Sequence, residues 1–140
     1  MDQPACRTLA LEYLPRQRCL VMYAGTEPPT DAAWDMYLDQ LRVPREIRIF
    51  VVTEGSRPTK AQQARLADVV NIHPAPTAVI SPAVAVRFVV SSVALFKSNL
   101  RYFTPDQVDD AYQHLGIRPV ERVQVEQALE RLRKHMRSMS

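Results

Sequence analysis

The sequence is poor in the residues that build metal sites and phosphate-binding loops. Only three of its 140 residues are glycine, two are cysteine and three are histidine. His73, His114 and His135 are scattered, without the short ligand spacing that a zinc site needs. A phosphate loop of the nucleotidase type requires several glycines and a Lys-Ser or Lys-Thr pair, which no segment supplies. These shortages argue against metal and nucleotide chemistry, and we expect no cofactor.

Long apolar runs are absent too. No stretch is long enough to cross a bilayer, and no apolar run of signal-peptide type opens the chain, so we expect a cytoplasmic protein. Cys6 and Cys19 flank a predicted hairpin whose turn lies near Pro15 to Arg18, and symmetric pairing would place Cys19 opposite Leu14. A disulfide between the two cysteines is therefore not expected, in line with a reducing cytosol.

Excess basic charge is confined to the C-terminal end of the chain. Residues 118–140 carry six Lys or Arg against three Asp or Glu, whereas residues 1–117 carry twelve of each. Nucleic-acid binders interleave a basic face with aromatic side chains, but this tail has no aromatic residue and mixes its charges. It also lacks the Trp or Phe that anchors an amphipathic helix in a membrane. We therefore expect neither nucleic acid nor membrane as a partner.

What the chain does contain is an alternation of β-prone runs and amphipathic segments with recognisable helix caps and stops. The predicted elements are strands at 8–14 and 19–24, a helix from Thr30 to before Pro44, a strand at 46–53, a helix from Thr59 to about Val70, a strand at 77–80, a helix after Ser81 and Pro82, a strand at 100–103, a helix from Thr104 to Gly116, and a helix from about Val120 to Met136.

The segment after Ser81 and Pro82 is rich in β-branched residues, so its pattern suits a buried strand as well as a helix. The serine cap, the proline at the first helical position and the length favour a helix. Because that helix is apolar almost all round, we predict that Val86, Val90 and Val93 contribute to a homodimer or partner surface. Simple packing onto the sheet is the alternative.

This order of elements predicts a single α/β domain over residues 1–117. An opening β-hairpin is followed by βα repeats, which gives a mostly parallel sheet of about five strands with helices packed on it. Residues 118–140 form a C-terminal amphipathic helix whose seam contains Val125, Leu129 and Leu132. Two heptads are too few for an independent coiled coil, so this helix packs on the domain or on a neighbour.

The order over residues 8–116 resembles the STAS fold of sulfate transporters and anti-sigma-factor antagonists. The segments MYAGTEPPTDAAW, VVTEGSRPTKAQ and YFTP look like an unassigned bacterial STAS-like group. The resemblance implies a regulatory protein-interaction domain whose partner is a kinase-like anti-sigma or signalling protein. It also implies a phosphorylatable Ser or Thr after an Asp in the loop between the third strand and the second helix. Here Glu54 and Gly55 precede Ser56 instead.

That loop supplies the candidate regulatory residues. Ser56, Thr59 and Thr53 are candidate phosphoacceptors, and Ser56 is favoured because we expect the Thr59 hydroxyl to cap the helix. Arg57 and Lys60 would contact an added phosphate at the positive end of the helix. The alternative is that the loop only turns the chain and caps the helix.

No group of residues in the sequence has the pattern of a catalytic site. Asp109 and Asp110 are adjacent on a predicted helix, so their side chains point about 100° apart and cannot face each other across a substrate. None of the histidines lies in a nucleophile-bearing motif. We therefore predict a protein that is not an enzyme. Besides an interaction domain, the alternative function is a small-ligand or lipid carrier in which the third helix lines a pocket.

Overall fold

The computed structural model describes residues 8–94 and 99–139, apart from the side chains of residues 92–94 and 139. The described residues form five strands and five α-helices. In chain order these are β1 (Leu9–Leu14), β2 (Cys19–Ala24), α1 (Asp31–Arg42), β3 (Arg48–Thr53), α2 (Lys60–Ile72), β4 (Thr77–Ile80), α3 (Val84–Ala94), β5 (Leu100–Phe103), α4 (Val108–Leu115) and α5 (Pro119–Met139).

The five strands form one sheet in the order β1-β2-β3-β4-β5, so each strand pairs with its neighbour in the chain. β1 and β2 are antiparallel, and the other pairs are parallel. Leu14 pairs with Cys19 across the hairpin, as predicted. The turn is closed by Arg18, which has a φ of 50° and donates its N–H to the Pro15 carbonyl at 3.2 Å. The predicted fold class is confirmed.

Helices cover both faces of the sheet. Every parallel connection moves to the adjacent strand in the same direction, so right-handed crossovers place α1, α2 and α3 on one face. On β2, Leu20 and Met22 face α1 and α2, whereas Cys19 and Val21 face α4 and α5. Strand residues of β2 to β4 are therefore mostly apolar on both sides, as those of buried parallel strands usually are.

Local signals set most of the helix ends. The Thr30 hydroxyl accepts the Ala33 N–H at 3.1 Å and starts α1. Gly116 ends α4 with a φ of 68°, a conformation that costs other residues more. Several bounds differ from the prediction by one to three residues; β3 starts at Arg48 rather than residue 46, α5 runs to Met139, and a short 3-10 turn over Pro105–Gln107 precedes α4.

The C-terminal helix α5 belongs to the domain core. It lies against β1 and β2, and Val125, Leu129 and Leu132 are buried on the predicted seam. The sequence left open whether this helix packs on its own domain or on a neighbour, and in the structure it packs on its own domain. In the described part of the chain, no helix combines the length and the apolar character that a bilayer crossing requires.

Candidate functional site

The loop between β3 and α2 lies at the edge where the parallel strands β2 and β3 end. It is tied to the end of β2 by backbone hydrogen bonds from Glu54 N to Ala24 O at 3.0 Å and from Ser56 N to Gly25 O at 2.9 Å. Gly55 has a φ of 139°, which an L side chain rarely adopts. The loop lies at the carboxyl ends of the strands, the end of the sheet at which open α/β proteins bind ligands.

The three predicted phosphoacceptors of this loop differ in their access to solvent. Thr53 and Ser56 are only 4% and 6% exposed, whereas Thr59 is exposed. The Thr59 hydroxyl accepts the Gln62 N–H at 3.1 Å, so its predicted capping role is confirmed. A kinase could reach Thr59 in this conformation but not Ser56, which reverses the order expected from the sequence. Arg57 and Lys60 are exposed, and neither forms an ion pair with another described residue.

Gln62 is a buried polar residue that the sequence analysis missed. Its side chain is almost fully enclosed by protein. The side-chain amide nitrogen donates hydrogen bonds to Pro29 O and Asp31 Oδ1, both at 2.9 Å. Its Oε1 accepts the Thr59 N–H at 2.9 Å. The signal was present, because Thr59 and Gln62 have the spacing of a capping box. The residue joins the start of α2 to the loop before α1.

The predicted interaction surface on α3 needs correction. The segment is a helix, but Val86 and Val90 are buried against Val79 of β4. The side chain of Val93 lies outside the described residues. The outward face of α3 instead carries Val84 and Phe88, one turn apart and 65% and 71% exposed. Residues four apart in a helix share a face. The prediction placed the face with Val86 and Val90 at the surface, whereas the face with Val84 and Phe88 is the exposed one.

The start of α3 adjoins the β3–α2 loop. A Cβ built on Gly55 would lie 3.7 Å from the Cβ of Ala83, the residue before α3. We call the exposed residues of this region the edge surface; its members are Arg57, Lys60, Val84, Arg87 and Phe88. The edge surface thus combines two apolar and three basic side chains, of which Arg87 lies on the side of α3 that faces Tyr102 of β5.

Beneath α3 lies a cavity of about 90 Å³ on the sheet face that carries α1, α2 and α3. Its walls are mainly apolar and include Leu66 of α2, Val86 and Val90 of α3, and Val79 of β4. The predicted third helix therefore does line a pocket. Ser56 forms part of the wall as well, which places the loop between the edge surface and the cavity.

The opposite face of the sheet has a more polar groove between α4 and α5. Glu54, Glu126, Glu130 and Arg133 contribute to its walls. The Tyr23 hydroxyl donates to Glu54 at 3.0 Å and the Tyr112 hydroxyl to Glu126 at 3.3 Å. Within residues 8–94 and 99–139, no group of three or more His, Cys, Asp or Glu side chains is placed to hold a metal ion.

The adjacent aspartates and the cysteines noted in the sequence lie outside these regions. Asp109 is exposed and accepts a hydrogen bond from the Arg122 guanidinium at 2.9 Å, and Asp110 is also exposed. Burial raises the pKa of the Cys19 thiol to about 12, so it is not a thiolate nucleophile at neutral pH. Cys6 lies outside the described residues.

Comparison with protein-family models, with curated proteins and with solved structures found no match to this chain. The STAS resemblance thus stays a prediction, and the fold is described by its own topology.

Proposed function

We propose that this chain is a non-enzymatic regulatory domain that binds a protein partner through the edge surface. The observation that carries the proposal is the exposed pair Val84 and Phe88 on the outward face of α3. Single exposed apolar residues are common, but two that share one face beside a loop form a contiguous patch. The resemblance to STAS domains supports the same location, because their partners dock near the corresponding loop.

The exposed charges of the edge surface indicate the kind of partner. Arg57 and Lys60 belong to the loop and the start of α2, and Arg87 belongs to α3. Interfaces typically have an apolar or aromatic centre and a polar rim, and arginine is enriched in them. An acidic rim around an apolar contact would complement this surface. We therefore propose a partner, such as a kinase-like signalling protein, that presents a hydrophobic pocket edged by Asp or Glu.

Site-specific photocross-linking tests the surface directly. A photoreactive phenylalanine analogue would replace Phe88 in one variant and Ile72, at the end of α2, in the control. Ile72 is 73% exposed, so the two positions are matched in accessibility. In the cells that make the protein, we expect a discrete cross-linked product from position 88 and none from position 72.

The mass of the cross-linked product distinguishes a homodimer from a complex with a different protein. A second copy of this 15.9 kDa chain would give a homodimer, whereas a larger or smaller added mass identifies a different protein. Equal products at both positions, or no product at position 88 under any growth condition, would contradict the proposed surface.

We further propose that any phosphorylation switch acts at Thr59. A phosphate there would lie at the N-terminus of α2, where the helix dipole and the neighbouring Arg57 and Lys60 favour negative charge. Phosphosite mapping of protein purified from its own cells should find the modification on Thr59 and not on buried Ser56. Absence of phosphate from the loop across growth conditions would remove the switch and leave the docking surface untouched.

A further inference from the structure

We propose that the cavity beneath α3 binds a small, mainly apolar molecule that carries one hydroxyl or carbonyl group. The site is distinct from the edge surface, so the proposal goes beyond the function above. It rests on the shape of the cavity and on two polar groups in its wall.

The cavity lies between α3 and the other two helices on the same face of the sheet. Trp34 of α1 and Leu66 of α2 line one side, and Val86 and Val90 of α3 line the other. The cavity is partly open to solvent, so a small molecule could enter it from outside. A volume of about 90 Å³ lies free between these side chains.

Two hydroxyls in the wall lack hydrogen-bond partners among the described residues. Tyr37 and Ser56 both line the cavity and are 5% and 6% exposed. Neither hydroxyl hydrogen-bonds to another residue in the described ranges. The other polar groups of the wall are satisfied: the Trp34 indole donates to Gln62 O at 2.9 Å, and the Thr77 hydroxyl donates to Ala75 O at 3.0 Å.

Neither the Tyr37 nor the Ser56 oxygen is among the fully buried polar atoms that lack a partner, so both remain open to hydrogen-bond a molecule that enters the cavity. Among the residues that the structure describes, the walls offer no charged side chain to an ionic ligand. They offer apolar contacts and two groups that each donate or accept one hydrogen bond. A neutral molecule with an apolar body and a single oxygen fits this chemistry.

The size of the cavity limits the body of the ligand. An engineered apolar cavity of about 150 Å³ accommodates benzene. At about 90 Å³ this cavity suits a short aliphatic chain, or a single ring after a small outward movement of α3. It is too small for a two-chain lipid, so the class is narrower than a general lipid carrier.

Titration with phenol and toluene tests the site, because these probes share a ring and differ in the hydroxyl. Methyl NMR would follow Val79 and Val86 in the wall, with Val125 and Leu132 of the opposite layer as internal controls. We expect saturable shifts at the wall methyls with both probes, no shift at the control methyls, and tighter binding of phenol.

Two single-atom variants test the polar part. Tyr37→Phe and Ser56→Ala each remove one hydroxyl that has no protein partner, so both should fold. We expect one or both to weaken phenol about two- to tenfold and to leave toluene unchanged. Ala24→Val adds volume in the wall and should reduce the binding of both probes.

Either of two results would overturn the proposal. One is the absence of saturable shifts at the wall methyls with either probe, or equal shifts at Val125 and Leu132. The other is phenol binding that neither hydroxyl deletion alters, which removes the proposed ligand class. Cross-linking at position 88 is unaffected by both results, so the proposed function is judged separately.

Discussion

The indole of Trp34 donates a 2.9 Å hydrogen bond to the backbone carbonyl of Gln62 and thereby joins α1 to α2. The side chain of the same glutamine holds Pro29 and Asp31 at the start of α1. One residue therefore fixes the spacing of two helices, and with it one side of the cavity.

Gln62→Ala should lower the free energy of unfolding by about 2–4 kcal/mol, because it removes the side-chain half of the capping box and leaves the Thr59 N–H and the Pro29 carbonyl unpaired. Urea denaturation measures the change. Gln124→Ala, at an exposed position of α5, is the control and should stay within about 0.5 kcal/mol of the original protein. Equal losses in the two variants would mean that Gln62 is not a structural link.

The contacts of the Glu121 carboxylate imply that the stability of the domain depends on pH. Its carboxylate accepts the Arg118 N–H at 3.0 Å and faces Arg48 at 3.4 Å, and these contacts lower its pKa from the ordinary 4.5. The unfolded chain therefore binds more protons near that pH, so stability falls as the pH drops below about 4.5.

In Glu121→Gln, the free energy of unfolding should be lower at neutral pH and should decline less between about pH 5 and 3. Denaturation at a series of pH values checks this. Glu27→Gln, at an exposed position, should keep the original slope. An unchanged slope in Glu121→Gln would contradict the assigned contact.

The buried Cys19 should resist thiol reagents. Burial both blocks access and raises its pKa to about 12, so thiolate forms only when the domain opens. In a Cys6→Ser variant, which leaves Cys19 as the sole thiol, we expect slow reaction with an aromatic disulfide reagent in buffer and fast reaction in urea. Fast reaction in buffer would place the thiol at the surface.

Polar substitutions on α3 should distinguish its two faces. Val90→Ser exchanges a buried methyl pair for an unpaired hydroxyl and should destabilise the domain by about 2–4 kcal/mol. Phe88→Ser lies on the outward face and should change stability by no more than about 0.5 kcal/mol, while it weakens binding of the proposed partner. Comparable losses in both variants would show that Phe88 is covered.

The sequence carried enough local information to predict the architecture. Helix ends were predictable because a capping residue interacts only with its neighbours along the chain. Examples are Thr30, Thr59 and Gly116. The apolar run at 46–53 indicated the strand β3, and Leu14 opposite Cys19 followed from the position of the turn. The 3-10 start before α4 was missed because its cap and proline suit either helix type.

The candidate site was less predictable. A helix with valines on most sides offers no single stripe, so only packing against Val79 showed that Val86 and Val90 point inward and Phe88 outward. The burial of Ser56 likewise depends on the end of β2, about thirty residues away in the chain. The STAS resemblance indicated which loop to consider but not which hydroxyl solvent reaches.

The sequence by itself therefore determined the α/β class, the element order and the helix caps, because periodicity and capping act over a few residues. Only the tertiary structure decided which face of α3 is free, that Thr59 rather than Ser56 is accessible, and that a cavity separates α3 from α1 and α2. Those properties arise where segments distant in the chain meet, and they depend on how well the side chains there fill the space between them.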